Sequence, residues 1–232
     1  MTEKIKEDQR LAATRRYLDF HLNREKELQD ITMLASVICQ APIALITLMD
    51  EDVQFINAST GADIREMPRK TSFCTHAIEI DSIMEVVDAS QDLRFANAPV
   101  VANDPHIRFY ASANLKSYDG YNVGTLCVYD VAPKSLSEQQ KKQLEVLAKQ
   151  VSHIMELDRT LKQLQSQNNL LKEIAWIQSH ELRSPVSAII GLVAAFKEND
   201  YEVDREYFSL LEEATSKLDE KIRLIVDKSN SI

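Results

Sequence analysis

The chain has 232 residues, room for one large domain or two small ones with a real core. Hydrophobic residues make up 44% and charged residues 27%, with 4 glycines and 6 prolines, which excludes a disordered or low-complexity chain. A net charge of −9 without any Lys/Arg cluster argues against nucleic acid or an anionic membrane as a partner. The longest apolar run, Ala41 to Met49, is broken by Pro42 and Thr47 and falls far short of the ~20 residues of a membrane span. Met1 to Arg10 is charged throughout and lacks the apolar core of a secretion signal, so the expected location is the cytoplasm. Cys39, Cys74 and Cys127 are odd in number and far apart, without CxxC spacing, and read as reduced thiols. The four glycines are too dispersed to write a phosphate-cradling GxxxxGK or GxGxxG loop.

Taken in chain order, Ile5 to Phe20 and Glu25 to Cys39 carry apolar residues at three- and four-residue spacing and predict two helices. The period then changes. Ile43 to Met49 and Val53 to Ala58 predict strands joined by the polar Asp50-Glu51-Asp52. The middle, Gly61 to Asn103, is mixed. Ile107 to Leu115 and Tyr121 to Tyr129 predict a second hairpin, with Asp119-Gly120 able to supply positive φ in its turn. The expected fold is α+β, an antiparallel sheet with flanking helices, of a sensory type.

After Pro133 the pattern is helical for about sixty residues, opening with Ser137 and Gln140 in capping-box positions. Leu144, Leu147, Val151 and Ile154 alternate by three and four, and the stripe then skips to Leu157, Leu161, Leu164, Asn168 and Leu171. This predicts a coiled coil with a stammer, in which Asn168 fixes register; the other reading is a single helix packed on its own domain. Two further helices follow around Glu198-Asn199-Asp200. Leu182, Val186, Ile189, Val193 and Phe196 stripe the first, and Phe208, Leu211, Thr215, Leu218, Ile222 and Ile225 the second. Two such helices cannot enclose a core alone, so a homodimer forming a four-helix bundle is expected.

On the helical wheel His180 lies about 160° from the apolar stripe, which exposes an imidazole beside the carboxylate of Glu181, a pairing suited to a nucleophile. Pro185 removes the amide that would bond the Glu181 carbonyl, predicting a kink one turn past His180. Ser179-His180-Glu181-Leu182-Arg183-Ser184-Pro185, followed by Ala188-Ile189-Ile190-Gly191-Leu192, resembles the H-box of the dimerisation and histidine-phosphotransfer (HisKA-type) domain of bacterial sensor histidine kinases. The resemblance implies two-component signalling: His180 accepts the γ-phosphoryl of ATP and passes it to an aspartate on a response-regulator receiver domain. Glu181 would orient and deprotonate the ring, and Pro185 would couple helix motion to activity. Ser184 stands where relatives with phosphatase activity carry Thr or Asn. It also breaks HExxH, so a zinc protease and any other metal site are not expected. The family's ATP-binding domain is absent from this sequence. The chain is therefore expected to bind no cofactor itself and not to autophosphorylate alone, with ATP and Mg²⁺ held by a separate or missing catalytic domain.

Ala41-Pro42-Ile43-Ala44-Leu45-Ile46, Ser72-Phe73-Cys74-Thr75-His76-Ala77-Ile78, Asp92-Leu93-Arg94-Phe95, Ile107-Arg108-Phe109-Tyr110-Ala111 and Gly124-Thr125-Leu126-Cys127-Val128-Tyr129-Asp130 resemble a GAF domain placed before bacterial kinases. This implies an antiparallel sheet of about six strands with helices on one face and a ligand-sized cavity on the other, the ligand being unknown. The expected organisation is an N-terminal helix over 1–24, the GAF domain over 25–136, a signalling helix over 137–171 and the HisKA-type domain over 172–232. Cys74-Thr75-His76 differs from the adjacent Cys-His pair of bilin-binding phytochromes, so Cys74 reads as a core thiol. Three scattered cysteines argue against the GAF branch that reduces methionine sulfoxide. The expected mechanism passes a change in the GAF half along the signalling helix to the Pro185 kink and the presentation of His180. The alternative is a non-catalytic GAF-containing dimerisation protein that regulates a kinase, docking a partner through Trp176, Ile177 and His180.

Overall fold

The computed structural model describes residues 3–18, 25–177, 181–198 and 205–229. It divides into two compact units, Met1–Arg159 and Thr160–Ile232.

The first unit opens with α1 (Glu3–Arg15) and α2 (Glu25–Cys39), then the hairpin β1 (Ile43–Met49) and β2 (Val53–Thr60). The mixed middle supplies β3 (Glu66–Pro68), a 3₁₀ turn (Arg69–Thr71), α3 (Cys74–Ala77), β4 (Met84–Val86) and α4 (Pro99–Ala102). A second hairpin, β5 (Phe109–Lys116) and β6 (Asn122–Asp130), precedes the long α5 (Glu138–Trp176). The strands form one six-stranded sheet in the order β3-β2-β1-β6-β5-β4, and every neighbouring pair is antiparallel.

Both hairpin turns follow their sequence chemistry. Asp50 donates its N–H to Val53 O at 2.9 Å. Gly120, at φ +87°, closes the other turn by donating to Ser117 O at 2.9 Å. Gly124 meets a different demand, since a Cβ there would lie 1.9 Å from Thr47 O across the β1–β6 ladder.

Alternation along the strands divides the core in two. Ala44, Ile46 and Leu48 of β1, Phe109 to Leu115 at every second position of β5, and Leu126 and Val128 of β6 face the three long helices. Leu45, Met49, Tyr110, Cys127 and Tyr129 face the other way, where Phe73, Cys74, Phe95 and Val101 from the middle segment cover them. The helix expected to reach Phe20 ends at Arg15, and Ala13 and Tyr17 bury themselves in the helix-side core of the same compact unit.

The capping box at α5 forms: Ser137 Oγ accepts the Gln140 N–H at 3.2 Å and Gln140 Oε1 accepts the Ser137 N–H at 2.9 Å. The expected coiled-coil stripe does not run unbroken from there. Leu144 and Val151 are fully buried with Ala148 and Met155, a stripe at i, i+4, i+7 and i+11 spent on the chain's own sheet. Beyond it Leu157, Leu161, Leu164 and Leu171 are each about half exposed.

The second unit holds the remainder of α5, then α6 (Arg183–Glu198) and α7 (Arg205–Ser229). Leu182, Ile189 and Phe196 on one side and Leu211, Leu218 and Ile225 on the other, each set spaced by seven, are half-buried. Tyr207 OH donates to Leu192 O at 2.6 Å, and Ala214 is buried. The kink expected at Pro185 adjoins residues 178–180, which lie outside the described residues. Pro185 is the third residue of α6. Ahead of it Leu182 N–H reaches back five residues to Ile177 O at 3.2 Å, the wider turn of a π-type bond, and Val186 N–H bonds Leu182 O at 3.2 Å.

Candidate functional site

The densest polar cluster in the buried interior of the first unit lies on the sheet face away from the long helices. Strand β6 alternates Thr125, Cys127 and Tyr129 toward this face, while Leu126 and Val128 point to the opposite core. Register places Thr47 beside Thr125, and Tyr110 and Ser112 beside Tyr129 and Cys127. Cys74 enters from α3, held above the sheet by its N–H to Ser72 Oγ at 3.0 Å. Phe73, stacked on Phe95 at 4.2 Å and on Tyr110 at 4.9 Å, closes the cluster from above.

Donors converge on the Cys74 sulfur. Thr125 Oγ1 lies at 3.2 Å, Tyr110 OH at 3.4 Å, Gln54 Nε2 at 3.6 Å and Tyr129 OH at 3.8 Å. The Cys127 sulfur stands 3.9 Å away, itself 3.6 Å from Leu45 O. Burial opposes ionisation of Cys74, but hydrogen bonds from Cys127, Thr125, Tyr110 and Ser72 together outweigh it and hold this thiol below the ordinary value. Burial, then the hydrogen bond and charge of Cys74, push Cys127 well above it. Burial likewise drives Tyr110 and Tyr129 upward, so both phenols stay protonated as donors. Gln54 is fully buried and its Oε1 has no hydrogen-bond partner, an orphaned acceptor that a packed core does not ordinarily keep. Chemically the cluster is a pair of thiols, one of them ringed by hydroxyl and amide donors that favour its ionised form over that of its neighbour.

The sequence carries a signal for this cluster that a count of cysteines misses: polar residues at every second position of an otherwise apolar strand. Cys74 and Cys127 read as scattered because 53 residues separate them, and the topology brings them together. His76 does not join them. It is partly exposed, its ring edge against Phe95 and its Nδ1 3.9 Å from Glu79. Phe73, Phe95 and Phe109 are core residues.

His180 lies outside the described residues. Glu181 pairs with Lys221 of α7 at 2.7 Å. Ser184 and Pro185 border a groove of about 510 Å3 with Leu210, Ala214 and Lys217 on α7. Trp176 is exposed over about half its surface. A larger open groove, about 550 Å3, runs between β5 and α5 and carries both signs of charge: Asp81, Glu145 and Glu156 against Lys116, Lys142 and Lys149. Among the described residues no three His, Cys, Asp or Glu side chains gather in a way that could hold a metal ion. No described helix is long and apolar enough to cross a membrane.

No family model matches the chain. Two solved GAF domains, both from phosphoenolpyruvate-protein phosphotransferases, share its architecture. That from Acinetobacter is 16% identical, with a TM-score of 0.51 over 67% of this chain and 98% of its own. That from Coxiella burnetii is 11% identical, with a TM-score of 0.52 over 69% and 99%. The first unit has the fold of a GAF domain. In sequence, the chain is 35% identical over 172 residues to a cyclic di-GMP phosphodiesterase of Pseudomonas aeruginosa. The match covers 74% of this chain and 29% of the relative, so the chain spans under a third of that protein's length.

This relative overturns the phosphorelay expectation. A match of that length takes in much of the GAF unit, and the relative is a phosphodiesterase of cyclic di-GMP, not a kinase that passes phosphoryl from ATP through a histidine to a response regulator. The roles of phosphoacceptor for His180, base for Glu181, phosphatase residue for Ser184 and kink for Pro185 are what the H-box resemblance implies; in the structure Glu181 has a lysine partner and Pro185 lies near the start of α6. The expected ligand cavity was to lie on the sheet face that the aromatic and thiol cluster occupies.

Proposed function

We propose that this chain is a dimeric GAF-bearing regulator of cyclic di-GMP turnover. The observation that carries this reading is the 35% identity, over 172 residues, to a phosphodiesterase acting on that dinucleotide. The GAF unit supplies the input. The helix α5, whose first turns pack on the sheet and whose last turns belong to the second unit, carries a change of packing away from it. The exposed apolar faces of α6 and α7 join two copies, because one hairpin alone leaves Ile190, Val193 and Phe208 in water.

The test is the cyclic di-GMP pool of the source cells, measured by mass spectrometry with the gene deleted and then restored on a plasmid. A pool that shifts at least twofold on deletion and returns on restoration supports the reading. A pool unmoved by either change, over conditions in which the protein is shown to be present, overturns it.

A further inference from the structure

We propose that Cys74 and Cys127 are a peroxide-oxidised dithiol: a small hydroperoxide converts them to an intrachain disulfide that joins α3 to the sheet. The proposal stands on geometry and is independent of the cyclic di-GMP reading. The two sulfurs are 3.9 Å apart, in direct contact. Hydroxyls from Thr125 and Tyr110 point at one of the pair, and the amide of Gln54 adds a third donor. Donors of this kind stabilise a thiolate over a thiol, and thiolate is the form that attacks peroxide. An inert core cysteine needs no such shell; Cys39 has none among the described residues, lies in the helix-side core and is pushed up to about 11 by burial.

The Cys74 thiolate attacks one peroxide oxygen, an S–O bond forms, the O–O bond breaks, and the leaving alkoxide or hydroxide takes up a proton. Cys127, having given up its own proton, then displaces hydroxide from the Cys74 sulfenic acid, which departs as water. Two thiols and one hydroperoxide become one disulfide, one alcohol (or water) and one water. Each sulfur loses one electron and the peroxide bond gains two. A thiol reductant reverses the change by exchange.

Both sulfurs are fully buried, so the oxidant must reach them by local opening. The covering segment is built for that. Between β2 and β5 no helix exceeds four residues and no strand exceeds three, and such short elements open at lower cost than the long strands beneath them.

The test uses the full chain, folded and reduced, exposed to hydrogen peroxide and then denatured in an alkylating reagent for mass analysis. Expected is a species lighter by two hydrogens before alkylation, in which the Cys74 and Cys127 peptides are cross-linked, Cys39 is alkylated, and dithiothreitol restores the original mass. In Cys127→Ala the cross-link is lost and Cys74 is trapped by dimedone as its sulfenic acid. The proposal fails if the wild type, shown by circular dichroism to stay folded, keeps all three thiols alkylatable after peroxide. It fails equally if the cross-links formed involve Cys39 or join separate chains. These outcomes leave the cyclic di-GMP pool experiment untouched, since the two readouts share no measurement.

Discussion

At the scale of single residues, the acid sensitivity of the first unit has an identifiable source. Glu7 on α1 accepts from Arg10 at 2.7 and 2.8 Å and from Arg69, on the 3₁₀ turn, at 2.7 Å. Arg10 is itself buried and also donates to Met49 O at 2.7 Å, so the carboxylate neutralises a charge held inside the protein. The hydrogen bond from Arg10 comes first, with burial working against it and Arg69 adding to it, and the result lowers Glu7 from 4.5 to about 2. A depressed carboxylate contributes stability that is fully present above its ordinary value and is lost as pH falls from about 4.5 through about 2. The side chain is 38% exposed, so water screens part of the gain and about 1–2 kcal/mol is the scale to expect. Glu7→Gln therefore lowers stability by that amount at neutral pH and flattens its dependence on acid. Urea midpoints of wild type and variant, compared at neutral pH and at about pH 3, check this: the gap narrows as the unfolded chain takes up at residue 7 a proton that the folded protein still refuses.

At the scale of elements, two substitutions separate what a strand and a helix start demand. Gly124→Ala places a Cβ 1.9 Å from Thr47 O, a backbone atom in the ladder between the two central strands. The strands must part, which costs about 2–4 kcal/mol. Ser137→Ala removes one arm of an exposed capping box and costs about 1 kcal/mol. Thermal unfolding of the two variants ranks them in that order, and a Gly124→Ala no worse than Ser137→Ala would show that the ladder relaxes without strain. These elements are also the ones that the sequence makes legible. The β1 hairpin, the Gly120 turn and the capping box each rest on a local pattern long enough to show a period or a turn signature. The segments between β2 and β5 are three or four residues long, too short for any period, and their conformation follows from pairing with strands already in place. The thiol cluster was hidden for a related reason. Half of it is visible as the polar alternation of Thr125, Cys127 and Tyr129, but its partner Cys74 arrives on such a short element.

At the scale of the whole molecule, the second unit poses a question that the first does not. The GAF unit covers both faces of its sheet, whereas in the second unit only Ile177, Pro185 and Ala214 among the described residues are fully buried apolar side chains. The half-buried positions of α6 and α7 face each other, which leaves Val186, Ile190 and Val193, spaced by four and three, on the outer face of α6. Such spacing is the seam of a helix that packs against another. Ile190 is 63% exposed and Val193 43%, and covering each with a second copy is worth about 1 kcal/mol or more. A charge there acts twice, by removing that gain and by requiring a carboxylate to be desolvated between two copies. Neither residue belongs to the buried thiol cluster, so the pair Ile190→Glu with Val193→Glu changes assembly without touching that site. Sedimentation equilibrium is expected to give a dimer for the wild type and a monomer for the double variant, with the near-ultraviolet circular dichroism of the GAF aromatics unchanged. A wild type that is monomeric at about 10–100 μM, a concentration at which obligate interfaces are filled, removes the bundle and leaves α6 with an outer face that serves some other contact.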